Sequence, residues 1–324
     1  MSENIFAIGD VHGCSQEFEQ LVEMLPLQDR ATLVCLGDYI DRGPDSRGVI
    51  DILLDLEQRH RIVTLKGNHE SMLLDFLDSP HSKSAGMFIF NGGSATLASY
   101  ADAKGRYRIP NEHLEFLRRL RVFYETERHF FVHAGVPEIP LEKVDPVKQE
   151  SVLLWIRKKF LNSHYQWSKM IVHGHSRVPE VEIKQNRINL DTACAYGGKL
   201  SAMHLPSKRV YSIPRNPDQQ RVFLKDSTSR RAALRFEGAL DVSVIHDNKQ
   251  LHFETLDYSE LGMFMRDTSM AGPKFAEGEM IQGAVGNTVT GRVPFSGRIV
   301  RRKAHGDGIY YAVQIFPDTS PGPR

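Results

Sequence analysis
At 324 residues the chain is long enough for two domains or one large one. Its 41 Lys and Arg balance 40 Asp and Glu, so no global field recruits a polyanion, and phosphate or nucleotide must be gathered by local patches. No stretch approaches the length that crosses a bilayer, and the first residues lack the basic and long apolar regions of a signal peptide.

Asn4–Ile8 reads as a strand, and Ser15–Leu25 follows as a helix with Phe18, Leu21, Val22 and Leu25 on one face. Ala31–Leu36 is a second strand, followed by a helix over Ser46–Gln58. Arg61–Leu65 is a third, followed by a helix over Glu70–Leu77. Between Ser79 and Arg121 this alternation stops, which marks an insertion beside the site and a natural place for substrate choice. Strands are expected again at His129–Val132, Lys169–Val172 and Arg187–Asn189. The pattern predicts an α/β layered domain with function at the carboxyl ends of its strands. The turn-rich segment S-I-P-R-N-P-D-Q-Q predicts a linker over 214–228, separating a domain at 1–213 from one at 229–324. Beyond it, short strands at Ala239–Ile245, Gln250–Thr255, Met263–Met265, Gly291–Val293, Arg298–Arg301 and Tyr310–Ile315 predict a small all-β barrel or sandwich.

Polar clusters end the strands of the first domain. G-D-V-H-G supplies Asp10 and His12, two apart and so on one side of an extended chain. G-D-Y-I-D-R-G supplies Asp38, Asp41 and Arg42, and G-N-H-E supplies Asn68 and His69. H-A-G supplies His133, and V-H-G-H-S supplies His173 and His175. A Gly-Asp pair after a strand is often only a turn, and a lone histidine is more often structural than a ligand. Such clusters at successive strand ends are hard to obtain by chance. Oxygen and imidazole donors gathered this way suit hard or borderline divalent metals, and a shared carboxylate, here Asp38, lets two ions sit side by side. Two such ions clamp a phosphate ester for hydrolysis. Arg42 offers a bidentate fork to a phosphoryl group. The three widely spaced cysteines, Cys14, Cys35 and Cys194, argue against a disulfide framework and for a reducing, cytoplasmic setting.

At these residues, over Ile5 to Leu205, the chain resembles the phosphoprotein phosphatase branch of the calcineurin-like metallophosphoesterases. The resemblance implies a β-sandwich flanked by helices and a two-metal centre, Mn²⁺ first, with Fe or Zn as alternatives. It implies Asp10, His12 and Asp38 on one metal, and Asp38, Asn68, His133 and His175 on the other, which makes His173 a neighbour rather than a ligand. It also implies His69 as the acid, held cationic by Asp41, with Arg42 and Arg157 gripping phosphate. The branch contains protein serine/threonine phosphatases and symmetrical dinucleoside polyphosphate hydrolases. F-N-G-G-S-A-T-L-A-S-Y and L-D-T-A-C-A-Y-G-G-K-L look like its small bacterial members, where both activities occur. The second domain inclines the expectation toward a phosphoprotein substrate over a phosphorylated small molecule; DNA and RNA are not expected partners.

After the linker, S-R-R-A-A-L-R carries Arg230, Arg231 and Arg235, and D-Y-S-E-L-G carries Asp257, Ser259 and Gly262. With G-R-I-V-R-R and Y-Y-A-V-Q-I-F behind them, over Ser229 to Pro317, they resemble a PilZ domain. That resemblance implies a six-stranded barrel that binds cyclic di-GMP. An arginine fork matches guanine O6 and N7, and guanidinium planes stack on bases. The expected protein is therefore a two-metal phosphatase answering to cyclic di-GMP, or, in the contrary case, a cyclic di-GMP-sensing adaptor with an inactive phosphatase domain.

Overall fold
A computed structural model describes residues 3–27, 31–80, 82–220, 222–225, 233–267, 274–287, 291–305 and 308–316. In chain order the first elements are β1 (Ile5–Ile8), α1 (Ser15–Met24), β2 (Thr32–Cys35), α2 (Ser46–Arg59), β3 (Arg61–Thr64) and α3 (Asn68–Asp78). Then come α4 (Lys83–Phe88), a π-helical turn at Ile89–Gly93, α5 (Ser94–Ser99) and α6 (Asn111–Arg118). They are followed by β4 (Phe123–Glu125), β5 (His129–Val132), α7 (Glu150–Trp155), α8 (Lys158–Leu161), β6 (Met170–His173), β7 (Glu182–Ile183) and β8 (Arg187–Asn189). β9 (Lys199–His204) and β10 (Arg209–Pro214) form an antiparallel pair. The remaining strands are β11 (Phe236–Glu237), β12 (Asp241–His246), β13 (Lys249–Ser259), β14 (Gly262–Asp267), β15 (Met280–Asn287), β16 (Gly291–His305) and β17 (Gly308–Phe316).

Two compact units result. Among the described residues, the first holds 3–71 and 109–220, and the second holds 72–108 and those from 222 to 316. The boundaries do not follow a single cut in the chain, because 72–108 groups with the C-terminal strands.

The first unit is a sandwich of two five-stranded sheets, ordered β10-β9-β1-β2-β3 and β4-β5-β6-β8-β7. Ile5, Ala7, Val34 and Leu36 from one sheet meet Phe131, Val172 and Ile188 from the other in one buried core. β1 and β2 are buried at every position and apolar at all but Thr32, which is what a parallel pair needs when it is covered on both faces. Phe18 and Leu21 of α1, and Val49, Ile50, Leu53 and Leu56 of α2, are buried on the inner sides of their helices. The expected sandwich with flanking helices is thus present. The polar residues follow directly where the buried strands stop.

The second unit contains the barrel. Strands β13-β12-β15-β16-β17-β14 are paired in that order, and β13 pairs with β14 to close six strands; β11 adds to β13 outside the ring. Val242, Val244, Phe253, Met265, Ile281, Val285 and Val313 are buried among its strands. Sequence patterning omitted β15 and split β16 at Pro294. The strand runs through, with Pro294 opposite Ala284, since proline lacks a donor but not the extended conformation. β15 is masked by its glycines: a Cβ on Gly283 would fall 2.2 Å from Ser243 O on β12. β9 and β10 were also missed, and Pro214, read as the start of a linker, closes β10.

Residues 79–121 are largely helical. Within the second unit Phe76 of α3 lies 6.0 Å from Phe236 and 5.0 Å from Phe88, and Phe90 stacks on Tyr258 at 5.4 Å. Among the described residues no helix is long and apolar enough to cross a membrane.

The sandwich depends on the seam between its sheets. Phe131→Ala, at a fully buried position of β5, should cost about 3–5 kcal/mol, read as a lower urea midpoint with an unchanged slope.

Candidate metal centre
The loops after β1, β2, β3, β5 and β6 converge. Asp38 is the hub. Its Oδ2 lies 3.5 Å from His12 Nε2, 3.4 Å from His133 Nε2 and 3.9 Å from His69 Nε2. Ligand atoms of His12, Asp38 and His69 fall within 4.8 Å of one another, and so do those of Asp38, His133 and His175. Asp38 belongs to both groups, as a bridging carboxylate requires. Asn68 Oδ1 is 2.9 Å from His133 Nε2, and His133 Nε2 is 3.2 Å from His175 Nδ1. Asp10 stands at the edge, its carboxylate accepting the His175 backbone N–H at 3.0 Å.

The donor set fits divalent cations. His12 and His133 direct Nδ1 to the carbonyls of Ile40 and Leu36, each at 2.9 Å, and present Nε2 to the centre. That is how metal-ligating histidines are fixed in tautomer and angle. Among the described residues the buried Nε2 atoms of His69, His173 and His175 have no hydrogen-bond partner. A side chain on Gly174 would collide with Asp10, its Cβ 2.0 Å from Oδ1. His173 instead packs its ring on Phe160 at 4.9 Å and points Nδ1 to Gly174 O.

Charge coupling is strong. Burial would raise the Asp38 pKa, but His133, His69 and His12 outweigh it and hold the carboxyl well below its usual range. Burial would lower His133, but Asp38 and Asp10 raise it to about 9. Burial and then Arg42 push His12 down to about 3. The same two causes hold His69 well below its ordinary value, so its imidazole is neutral at pH 7. Its hydrogen bond to Asp41 is present, Nδ1 to Oδ2 at 2.6 Å, and fixes the ring without outweighing burial and Arg42. Asp10 is raised well above the carboxylate range by burial and by Asp191.

Backbone strain concentrates here. His12, Asp38, Asp41, Arg42 and His175 all have φ between 48° and 72°. A non-glycine residue in that region costs on the order of 1–3 kcal/mol, and persists where the surroundings over-determine it.

Four contributors were not assigned from sequence. Glu70, the last letter of G-N-H-E, is fully buried. Its Oε2 accepts from Gly67 N at 2.8 Å and Asp38 N at 3.0 Å, and its Oε1 from Tyr39 N at 2.8 Å and Ile40 N at 3.3 Å. Asp191, in L-D-T-A-C, is buried and accepts from Ala193 N. Tyr196 has Arg177 over its ring at 4.0 Å and Arg42 at 5.2 Å. Arg42 also donates from Nη1 to His12 Nε2 at 2.6 Å. Arg157 is exposed and lies in the electrostatic reach of Arg42, Asp191, Asp38 and Arg177.

On the barrel, Arg235 is ion-paired with Asp257, beside the bulge between Thr255 and Asp257. Ser259 is buried and donates from Oγ to Gly262 O at 3.3 Å. Arg230 and Arg231 lie outside the described residues.

A sandwich with imidazole and carboxylate donors at its strand ends defines a metallophosphoesterase. Residues 4–197 match the calcineurin-like phosphoesterase family, and the chain belongs to that family of metal-dependent hydrolases; residues 229–323 match the PilZ domain. The asymmetrical bis(5'-nucleosyl)-tetraphosphatase PrpE of Anoxybacillus flavithermus is 28% identical over 232 residues, covering 64% of this chain and 92% of that one. PrpE of Oceanobacillus iheyensis is 29% identical, covering 64% and 90%. A solved structure provisionally named a diadenosine tetraphosphatase shares the fold, with a TM-score of 0.50 and 24% identity over 67% of this chain and 96% of its own.

Glu70→Gln replaces an acceptor-only group by one that also donates, leaving buried amides of the Asp38 loop unpaired. Affinity for Mn²⁺, titrated calorimetrically into metal-stripped protein, should fall about 10–100-fold.

Proposed function
We propose that the chain is a divalent-metal-dependent hydrolase of dinucleoside polyphosphates whose PilZ domain binds cyclic di-GMP. The observation that carries the substrate class is the basic rim of the centre, where Arg42 and Arg177 flank Tyr196 and Arg157 adds a third guanidinium. A chain of linked phosphates offers several sites to such forks, whereas a phosphomonoester offers one. The relatives named tetraphosphatases support the same class. The presence of a second domain speaks for regulation and is neutral between phosphoprotein and nucleotide. An inactive adaptor is disfavoured by the complete donor set around Asp38.

Asp10, His12 and Asp38 would hold one cation, and Asp38, Asn68, His133 and His175 the other. When bound, the pair supplies Lewis-acid stabilisation and a water of lowered pKa. Arg42, with Arg157, orients the phosphoryl oxygens and meets their charge. Asp41 fixes His69 through Nδ1, so Nε2 is the atom that delivers a proton to the leaving oxygen. The negative charge of an arriving polyphosphate favours the protonated imidazole, opposing the depression by burial and Arg42.

On the barrel, Arg230, Arg231 and Arg235 with Asp257, Ser259 and Gly262 would form the cyclic di-GMP site. Guanine would compete with Asp257 for Arg235. Arg235 is followed by Phe236, which contacts Phe76 of α3, and the first turn of the same helix carries Asn68 and His69.

With Mn²⁺ supplied, kcat/KM for diadenosine tetraphosphate should exceed that for a phosphopeptide by at least about tenfold, roughly 1.4 kcal/mol in transition-state binding. The reverse preference returns the phosphoprotein reading, and full turnover by Asp38→Asn removes the proposed centre altogether. Calorimetry with cyclic di-GMP should show binding to the wild type and none to Arg231→Ala/Arg235→Ala. Equal affinities would sink the arm as the binding element.

A further inference from the structure
Cys14, Glu17 and Cys194 form a second donor cluster in the first unit. One atom from each, the two sulfurs and a carboxylate oxygen, lie within 4.8 Å of one another. The three side chains are buried, and both cysteines are free thiols. The two Glu17 oxygens are unequal. Oε1 accepts from Arg215 Nη1 at 2.7 Å and from Asn216 N at 2.8 Å. Oε2 is buried and has no hydrogen-bond partner among the described residues. An unmatched buried carboxylate oxygen is costly unless a proton or a cation meets it. Cys14 Sγ has a long contact, 3.5 Å, to His12 O, and a side-chain hydrogen bond joins it to Cys194.

We propose that Cys14, Glu17 and Cys194 bind one soft divalent cation of the zinc class, separate from the catalytic pair. Thiolate sulfur selects such ions over the hard cations that carboxylate and carbonyl oxygens prefer. Three protein donors leave one of four tetrahedral positions for water. The charges also close: two thiolates and Glu17 are balanced by the dication and Arg215. On binding, each S–H bond is replaced by a metal–sulfur bond and its proton leaves to solvent. No oxidation occurs.

The site would have a structural consequence for the catalytic centre. Cys14 lies two residues after His12, and Cys194 two residues before Tyr196. A shared ion would therefore cross-link the loop after β1 to the turn that carries Tyr196. This inference is independent of the substrate, because it concerns donors that the proposed hydrolysis does not use.

The test is Co²⁺ titration of reduced, metal-stripped, full-length protein under anaerobic conditions. The centre around Asp38 offers only oxygen and nitrogen donors, so a thiolate-to-cobalt charge-transfer band reports cysteine ligation alone. The band should saturate at one ion per chain, vanish in Cys14→Ser and in Cys194→Ser, and persist in Cys35→Ser. Glu17→Gln should keep the band but weaken cobalt binding at least about tenfold. Visible cobalt bands from the oxygen and nitrogen centre, retained in the serine variants, show that they are folded. No thiolate band in the wild type, or its survival in both serine variants, would overturn the proposal.

Discussion

The carboxylate of Asp38 is the constraint on which the rest of the centre depends. It is buried, and burial of a lone anion is prohibitive without partners. Three imidazoles face it, and they in turn are held by carbonyls of Ile40 and Leu36 and by Asp41. Its own backbone is held by Glu70, which reaches across from the first turn of α3 and gathers amides from two loops. The anion thus organises donors from several strand ends, and the sandwich exists to bring those strand ends to one edge. Glu70 carries its own cost: burial, then Asp38, raises it to about 7, while the amides it accepts from pull it back down.

Much of this was legible in the sequence because the strands of the sandwich are short, apolar and followed at once by their polar clusters. β1 and β2 are buried at all positions, so pattern and structure agree there. Legibility failed where a residue acts through the backbone. Glu70 has no spacing that marks a carboxylate accepting four amides, although G-N-H-E contains it. Asp191, Arg177 and Tyr196 come from loops whose approach is tertiary. The lowered basicity of His69 was illegible for a different reason: a motif shows its Asp41 partner, but neither its complete burial nor Arg42 beside it.

The barrel was hidden by the residues that build it. Gly283 lets β12 and β15 approach, and Pro294 sits within a strand that does not need its donor. Both read as breaks in a one-dimensional pattern. Residues 72–108 were harder still, because a helical insertion says nothing about which surface it covers. Phe76, which also meets Phe88, finds Phe236, and Phe90 finds Tyr258, both far downstream in the chain.

The left-handed backbone at His12, Asp38, Asp41, Arg42 and His175 narrows which changes the centre can absorb. Asparagine and aspartate tolerate that region better than other side chains, and β-branched residues least. Asn in place of Asp38 or Asp41 therefore removes a charge and leaves the turn intact, whereas Val or Thr would disturb the chain trace itself. The centre is consequently hard to convert by drift: most single steps away from it would break the loop before they altered the chemistry.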